Sequence, residues 1–183
     1  KKYRNNLKRI LLNYNIKDIF DSPCGDFNWM SRFLRENKGL FNYYGADIVE
    51  DIVLKNIREY KDHHFEVIDL TKNTFPKADV FHCRDLLFHL SYHDISKIFS
   101  NFIESEISYI LVSNHESNFL KNIDIKSGGF RYLDIRKKPF LLNNYLEKID
   151  DYYFLKSFPK KSYLFNREQF ISQIKNFQIF LES

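Results

Sequence analysis

The run Asp21-Ser-Pro-Cys-Gly-Asp-Phe-Asn-Trp-Met30 decides how this chain is read. An apolar segment, residues 16–20, leads into it, and a helical pattern over residues 27–36 leads out. Strand, tight turn and helix in succession leave unpaired backbone N–H groups at the mouth of a crevice. Nucleotide-like ligands bind in such crevices, at the carboxyl ends of parallel strands. Asp21 closes the strand, and Gly25 is the one glycine in the turn. A dinucleotide fingerprint requires three glycines, so the stretch disfavours a nicotinamide oxidoreductase. It suits a ligand that offers a cationic amine and a carboxylate to a side-chain carboxylate and to backbone N–H groups.

Outward from this turn the segments alternate. Residues 7–14 read as a helix, 18–23 as a first strand, and 27–37 as a helix with Trp29, Phe33 and Leu34 on one side. A second strand over 43–48, a helix over 50–60, and strands over 65–70 and 78–83 follow. Residues 92–103 carry Ile95, Ile98, Phe99 and Phe102 at helical spacing. Residues 109–114 are apolar along most of their length, as a buried parallel strand is. The expected fold is α/β: a doubly wound, mostly parallel, Rossmann-like sheet with helices on both faces. After His115 the pattern breaks. Residues 117–144 contain Gly128-Gly129 and Pro139 without a sustained period, and a long irregular stretch in a compact domain reads as a lid-like insertion. A hairpin of residues 152–158 and 162–165 around Pro159 and a helix over 167–177 complete the expectation. The chain reads as one domain, 1–183, with 117–150 as an acceptor-binding insertion.

Composition narrows the classes. The 183 residues suffice to bury about 70% of the unfolded surface. With 19 Phe and 12 Tyr, bulky core packing is the main use of aromatics. A net charge of +4 accommodates an anionic ligand but is too weak to argue for nucleic acid. The basic clusters Lys160-Lys161, Lys137-Lys138 and Lys1, Lys2, Arg4, Lys8, Arg9 read as solvated surface. Cys24 and Cys83 lack Cys-x-x-Cys spacing, which gives neither a disulfide framework nor a metal site. No apolar run approaches the ~20 residues of a membrane span, and a cytoplasmic location is expected.

Asp21, Asp47 and Asp69 each end a predicted strand, so in a parallel sheet three carboxylates line one edge. Asp47 follows Asp21 at an offset close to that at which an acidic residue reaches a ribose. With these residues in place, the chain resembles the class I S-adenosylmethionine-dependent methyltransferases over residues 18–116. Asp21-Ser-Pro-Cys-Gly-Asp resembles their first motif, Gly45-Ala-Asp47-Ile48 the second and Ile68-Asp69-Leu70 the third. The resemblance implies S-adenosylmethionine as cofactor. On that likeness Asp21, Cys24 and Gly25 face its methionine part, Asp47 the ribose hydroxyls and Asp69 the adenine amino group, with Pro23, Trp29, Ile48 and Leu70 also among the cofactor-binding residues. The family's three glycine places hold Pro23, Gly25 and Phe27 here. The Pro-Cys-Gly-Asp variant with a following Trp is similar to a group of small bacterial methyltransferases tied to surface-polysaccharide modification.

The fourth predicted strand runs into His82-Cys-Arg84-Asp85-Leu-Leu-Phe-His89, which in this fold faces the transferred group. Arg84 suits the cofactor carboxylate, or pairs with an Asp. Asp85 and His89, four apart, share a face if Asp85 begins a helical turn, and a His oriented by an Asp is a general base. His115 is the rival base. An Asn/Asp-Pro-Pro-aromatic motif is missing from this position, which disfavours methylation of nucleic-acid bases. The expected acceptor is a sugar or another small polar molecule, held by Asn122, Asp124 and Arg131 of the insertion. An RNA methyltransferase and a silent cofactor-binding domain are the alternatives.

Overall fold

Successive residues of a strand point to opposite faces of a sheet, and the apolar residues of the central strands divide accordingly. Ile19, Val80, Leu111 and Leu164 face one cluster, built on Leu7, Ile10, Met30, Phe33 and Val53. Phe20, Phe81, Ile110, Val112 and Phe165 face the other, built on Ile95, Phe99, Phe102, Phe170 and Phe177. Hydrophobic burial on both faces is what makes these strands near-continuous apolar runs.

The structure is a computed structural model that describes residues 2–151 and 158–182. Its elements are α1 (Lys2–Asn13), β1 (Asp18–Asp21), α2 (Asn28–Glu36), β2 (Asn42–Asp47), α3 (Glu50–Glu59), β3 (His64–Val67), β4 (Val80–Cys83), a 3₁₀ turn (Leu87–His89), α4 (Tyr92–Glu104), β5 (Tyr109–His115), β6 (Glu147–Asp150), β7 (Lys160–Asn166) and α5 (Arg167–Glu182). The seven strands form one sheet in the order β3-β2-β1-β4-β5-β7-β6. The first five are parallel, and β7 runs antiparallel to both β5 and β6. The expected doubly wound, mostly parallel sheet is therefore present, with α1–α3 contributing to one core cluster and α4–α5 to the other.

Two expectations differ, and part of a third lies outside the described residues. The partner of β7 is β6, inside the stretch expected to be insertion, so the irregular segment ends at residue 146. Residues 152–157 of the expected hairpin lie outside the described residues. The insertion is also no loose lid: Leu133, Ile135, Phe140 and Leu142 are fully buried in the same cluster as Phe99. It is strapped to the end of β5, where His115 N donates to Leu133 O at 2.8 Å and Ile135 N to Asn114 Oδ1 at 2.6 Å. Among the described residues, no helix is long and apolar enough to cross a membrane.

Gly45 of β2 lies where aromatic packing leaves no room for a side chain. A Cβ there would sit 2.7 Å from Cδ1 of Phe65 and 2.9 Å from Cε1 of Tyr43. Gly45→Ala is therefore expected to destabilise the fold by about 1–3 kcal/mol. Thermal unfolding should show a midpoint roughly 2–4 °C lower per kcal/mol.

Candidate active site

The turn after β1 forms the floor of the site. Gly25 (φ 53°) and Phe27 (φ 59°) both adopt left-handed backbone. For Phe27 that costs roughly 1–2 kcal/mol, offset by a ring wholly buried among Tyr43, Tyr60, His63 and Phe65. The third glycine place thus keeps the backbone shape of a glycine while anchoring α2 in the core. Asp47, at the end of β2, receives Gly25 N–H on Oδ2 (3.0 Å) and Val49 N–H on Oδ1 (3.1 Å). Each carboxylate oxygen keeps a second acceptor site.

Beyond this turn opens a slot of about 90 Å³. Pro23, Ile48, Ile68, Leu70, Leu86 and Leu90 supply apolar walls, and Asp69 stands at its rim. Lys72, 2.8 Å away, with help from Thr71, holds the Asp69 carboxyl down at about 2, so it is charged. A flat apolar ring bearing an amino group at its edge matches walls of this kind. Four of the expected cofactor residues, Pro23, Ile48, Asp69 and Leu70, meet here.

Asp21 lies deeper. Its carboxylate is almost fully buried and accepts from the Tyr43 hydroxyl (2.8 Å) and from Nδ1 of His82 (2.6 Å). Nε2 of His82 faces the Tyr3 hydroxyl at 2.9 Å, and that hydroxyl lies 3.3 Å from Ser162 Oγ. Both oxygens of Asp21 are thus engaged inside the protein, and what Asp21 shapes is the turn. His82, Tyr3 and Tyr43 were given no role on sequence grounds. The signal was present in the polar His82 within an otherwise apolar β4. Cys24 is buried, with burial and then Asp21 raising its thiol to about 12, and it stays neutral.

Arg84 takes the second of its two expected partners. It donates two parallel hydrogen bonds to Asp151 (Nε 2.9 Å, Nη2 2.8 Å), with its guanidinium over the Tyr3 and Trp29 rings at 5.0 and 5.1 Å. Trp29 is placed by this stack rather than by the slot. Lys160 lies 2.6 Å from Asp85 and 3.3 Å from Asp151.

The expected Asp85–His89 pair is not formed. Asp85 has φ 62°, so it does not begin a helical turn. Its N–H donates to Ser113 Oγ, and its carboxylate pairs with Lys160 and Arg84. His89 instead donates Nδ1–H to Gly129 O at 2.8 Å. A carbonyl only accepts, which assigns the hydrogen to Nδ1 and leaves Nε2 of the neutral ring as an acceptor. His115 has the opposite character. Its Nδ1 accepts from Leu133 N–H at 3.4 Å, and burial, with Lys160 nearby, lowers its pKa to about 4. At neutral pH it is an uncharged donor through Nε2.

The three expected acceptor residues are occupied. Arg131 is 4% exposed and donates to the carbonyls of Leu90 (2.6 Å) and Leu87 (3.4 Å), under the Tyr92 ring. It closes the end of the 3₁₀ turn: backbone oxygens engage its two terminal nitrogens, while its buried Nε has no hydrogen-bond partner among the described residues. Asn122 Nδ2 donates to the carbonyls of Asp134 and Lys138, and its Oδ1 accepts from Asp134 N. Asp124 accepts from the first N–H of α4, that of Tyr92. Asn122 and Asp124 line a separate cavity of about 670 Å³ with Tyr92, Pro139, Leu141 and Phe180, which shares no residue with the slot.

With this geometry, comparison with solved structures is informative. The fold is similar to the methyltransferase domain of a bacterial Hen1 protein, with 14% identity over 90% of this chain and 96% of that one and a TM-score of 0.67. It is similar to a S-adenosylmethionine-dependent methyltransferase from Clostridium acetobutylicum (14% identity, 89% of each chain, TM-score 0.63). Magnesium protoporphyrin IX methyltransferase from Synechocystis, solved with S-adenosylmethionine bound, matches with 12% identity over 89% of this chain and 78% of that one, at a TM-score of 0.63. The chain thus shares its fold with these solved methyltransferases. No family model and no curated protein matches the sequence.

The lowered pKa of His115 makes stability pH-dependent. Between its ordinary value of 6.5 and the native value near 4, the unfolded chain binds a proton that the folded chain refuses. Stability is expected to fall as pH drops through that window, by up to ~3 kcal/mol. His115→Phe keeps a ring and removes the titration. Urea unfolding at a series of pH values should show a smaller loss between pH 6.5 and 4 in the variant, whatever its plateau stability.

Proposed function

We propose that this chain is a S-adenosylmethionine-dependent O-methyltransferase acting in the cytoplasm on a hydroxyl of a sugar or other small polar acceptor. The observation that carries the reading is the slot. Apolar walls from the ends of β1, β2, β3 and β4, a charged Asp69 at the rim and an Asp47 with spare acceptor capacity fit the parts of that cofactor. Ile48, Leu86 and Leu90 would hold the adenine, with Asp69 at its amino group and Asp47 at the ribose hydroxyls. The backbone of the Cys24-Gly25 turn would meet the methionine part, and Asp21 would set the shape of that turn through His82 and Tyr43. When bound, the cofactor supplies an electrophilic methyl group on a sulfonium.

The chain's own contribution is alignment and a proton acceptor. Alignment of acceptor and methyl can remove several kcal/mol of barrier. His89, with Nδ1–H fixed on Gly129 O, presents Nε2 as the base for the acceptor hydroxyl. His115, lacking a basic lone pair on its Nε2, would donate instead. The Pro-Cys-Gly-Asp turn followed by Trp29 supports the narrower reading of capsule or surface-polysaccharide modification.

Ile48 offers a clean test because it is 64% exposed. Ile48→Glu should leave the stability of the ligand-free chain within about 0.5 kcal/mol, as for surface changes. It should weaken S-adenosylhomocysteine binding by about tenfold or more in calorimetry, because a charge replaces part of an apolar wall. Unchanged affinity would remove the slot from the site.

His89→Gln should retain S-adenosylhomocysteine binding and lower the transfer rate by about 10²-fold or more, the range for a lost general base. A full rate in single-turnover kinetics would leave alignment as the sole catalytic contribution.

A further inference from the structure

The residues between β4 and α4 have the slot on one side, through Leu86 and Leu90, and a second feature on the other. Phe88, buried, packs edge-on against His115 (4.8 Å between ring centres) and Phe130 (5.8 Å). Phe130 continues to Tyr132 (5.3 Å), and Tyr132 to Phe158 (4.8 Å). Phe130 is 55% exposed, and Tyr132 and Phe158 are half-buried. This rim is apolar surface that the core does not consume. His89 stands at its inner end, 5.6 Å from Phe130, and His115 joins it to the ion cluster of Asp85, Lys160, Arg84 and Asp151.

We propose that the Phe130–Tyr132–Phe158 rim, with the Asp85 carboxylate and His89 Nε2, is the acceptor subsite, and that it takes an uncharged sugar. The proposal rests on the methyltransferase reading and specifies where and what its acceptor is. Exposed rings favour the C–H face of a saccharide, which is apolar, while its edge carries hydroxyls. Asp85 is the acceptor for such a hydroxyl, since its side chain is 37% exposed and held in place by Lys160 and by its own N–H on Ser113. The charge sum selects against other ligands. Arg84 and Lys160 contribute two positive charges, Asp85 and Asp151 two negative ones, and each cation already lies on a carboxylate. A phosphate would have to displace those carboxylates at the cost of unpairing them. A cationic amine meets no unpaired carboxylate in the cluster. In the transfer, the acceptor oxygen takes the methyl carbon and its proton passes to His89 Nε2. The sulfur keeps the electron pair of the broken carbon–sulfur bond and becomes a neutral thioether.

The test uses the full chain with radiolabelled S-adenosylmethionine. Candidate acceptors are uncharged methyl glycosides of glucose, galactose, mannose, rhamnose and N-acetylglucosamine, set against glucose 1-phosphate and catechol. Glycoside contact is read separately by saturation-transfer NMR, with and without S-adenosylhomocysteine. At least one glycoside should be labelled, and Phe130→Ala should lower its kcat/KM by about tenfold, as when a stacking ring is removed. Phe130→Trp should restore it, and both variants should bind S-adenosylhomocysteine within about twofold of the parent. Labelling that ignores Phe130, preference for the phosphorylated sugar or for catechol, or no glycoside contact by a chain that binds S-adenosylhomocysteine overturns the proposal. A parent chain that fails to bind S-adenosylhomocysteine overturns the methyltransferase reading itself, and the cofactor-free NMR arm tells the two failures apart.

Discussion

The hydrogen bond between Asp21 and His82 is the constraint around which the carboxyl edge of the sheet is organised. Both side chains are almost fully buried, and a carboxylate taken out of water must be met by donors or it costs several kcal/mol. The structure meets it from three directions: His82 on β4, Tyr43 on β2, and Tyr3 on α1 through the far side of the imidazole. Ser162 of β7 closes the line beyond Tyr3. One buried charge therefore fixes how four strands and the first helix sit relative to one another at the end where the chemistry is proposed. The backbone there follows, with Ser22 N donating to His82 O and Cys24 N to Ala46 O. The turn that carries Gly25 is thus held by its own strands.

A second layer of charge is built over the first. Arg84 leaves β4 directly after His82 and Cys83, and its guanidinium lies over the Tyr3 and Trp29 rings as it reaches Asp151. Desolvation alone would lower the pKa of this guanidinium, but Asp151 and Asp85 more than reverse that effect and raise it. The cation is accordingly committed to the protein. A cation so committed positions neighbouring groups more than it recruits anions, and this separates Arg84 from the free arginine that anion capture requires.

Much of this was legible in the sequence, for identifiable reasons. The parallel strands are buried on both faces, and burial leaves an apolar run that needs no partner to be recognised. The acidic residues at their ends were legible because topology alone brings them to one edge. β6 was not, since only Ile149 of its four residues is buried and an edge strand is otherwise polar. Arg131 looked like a ligand clamp because a buried arginine is costly unless satisfied. The carbonyls of Leu87 and Leu90 that engage its terminal nitrogens come from a turn about forty residues away, which no local pattern announces. The Asp85–His89 pairing failed on one dihedral. The left-handed backbone at Asp85 turns its carboxylate towards Lys160, and positive φ, although commoner for Asp than for most residues, is too infrequent to be read from the sequence.

On the proposed reading, the same dihedral explains why His89 rather than His115 would accept a proton. Because Asp85 is turned away, His89 is oriented by a carbonyl, and a carbonyl fixes the tautomer without adding negative charge beside the ring. His115, by contrast, ends β5 against Lys160 of β7, so strand pairing itself brings a cation near its ring and burial completes the loss of basicity. Two histidines a few ångströms from a shared aromatic ring, Phe130, are thus given opposite hydrogen-bonding characters by their backbones. One keeps a lone pair at the inner end of the aromatic rim, and the other keeps a hydrogen. On the proposed reading, a hydroxyl beside His89 would meet an acceptor for its proton, and that is the assistance a general base gives to O-alkylation of a neutral alcohol.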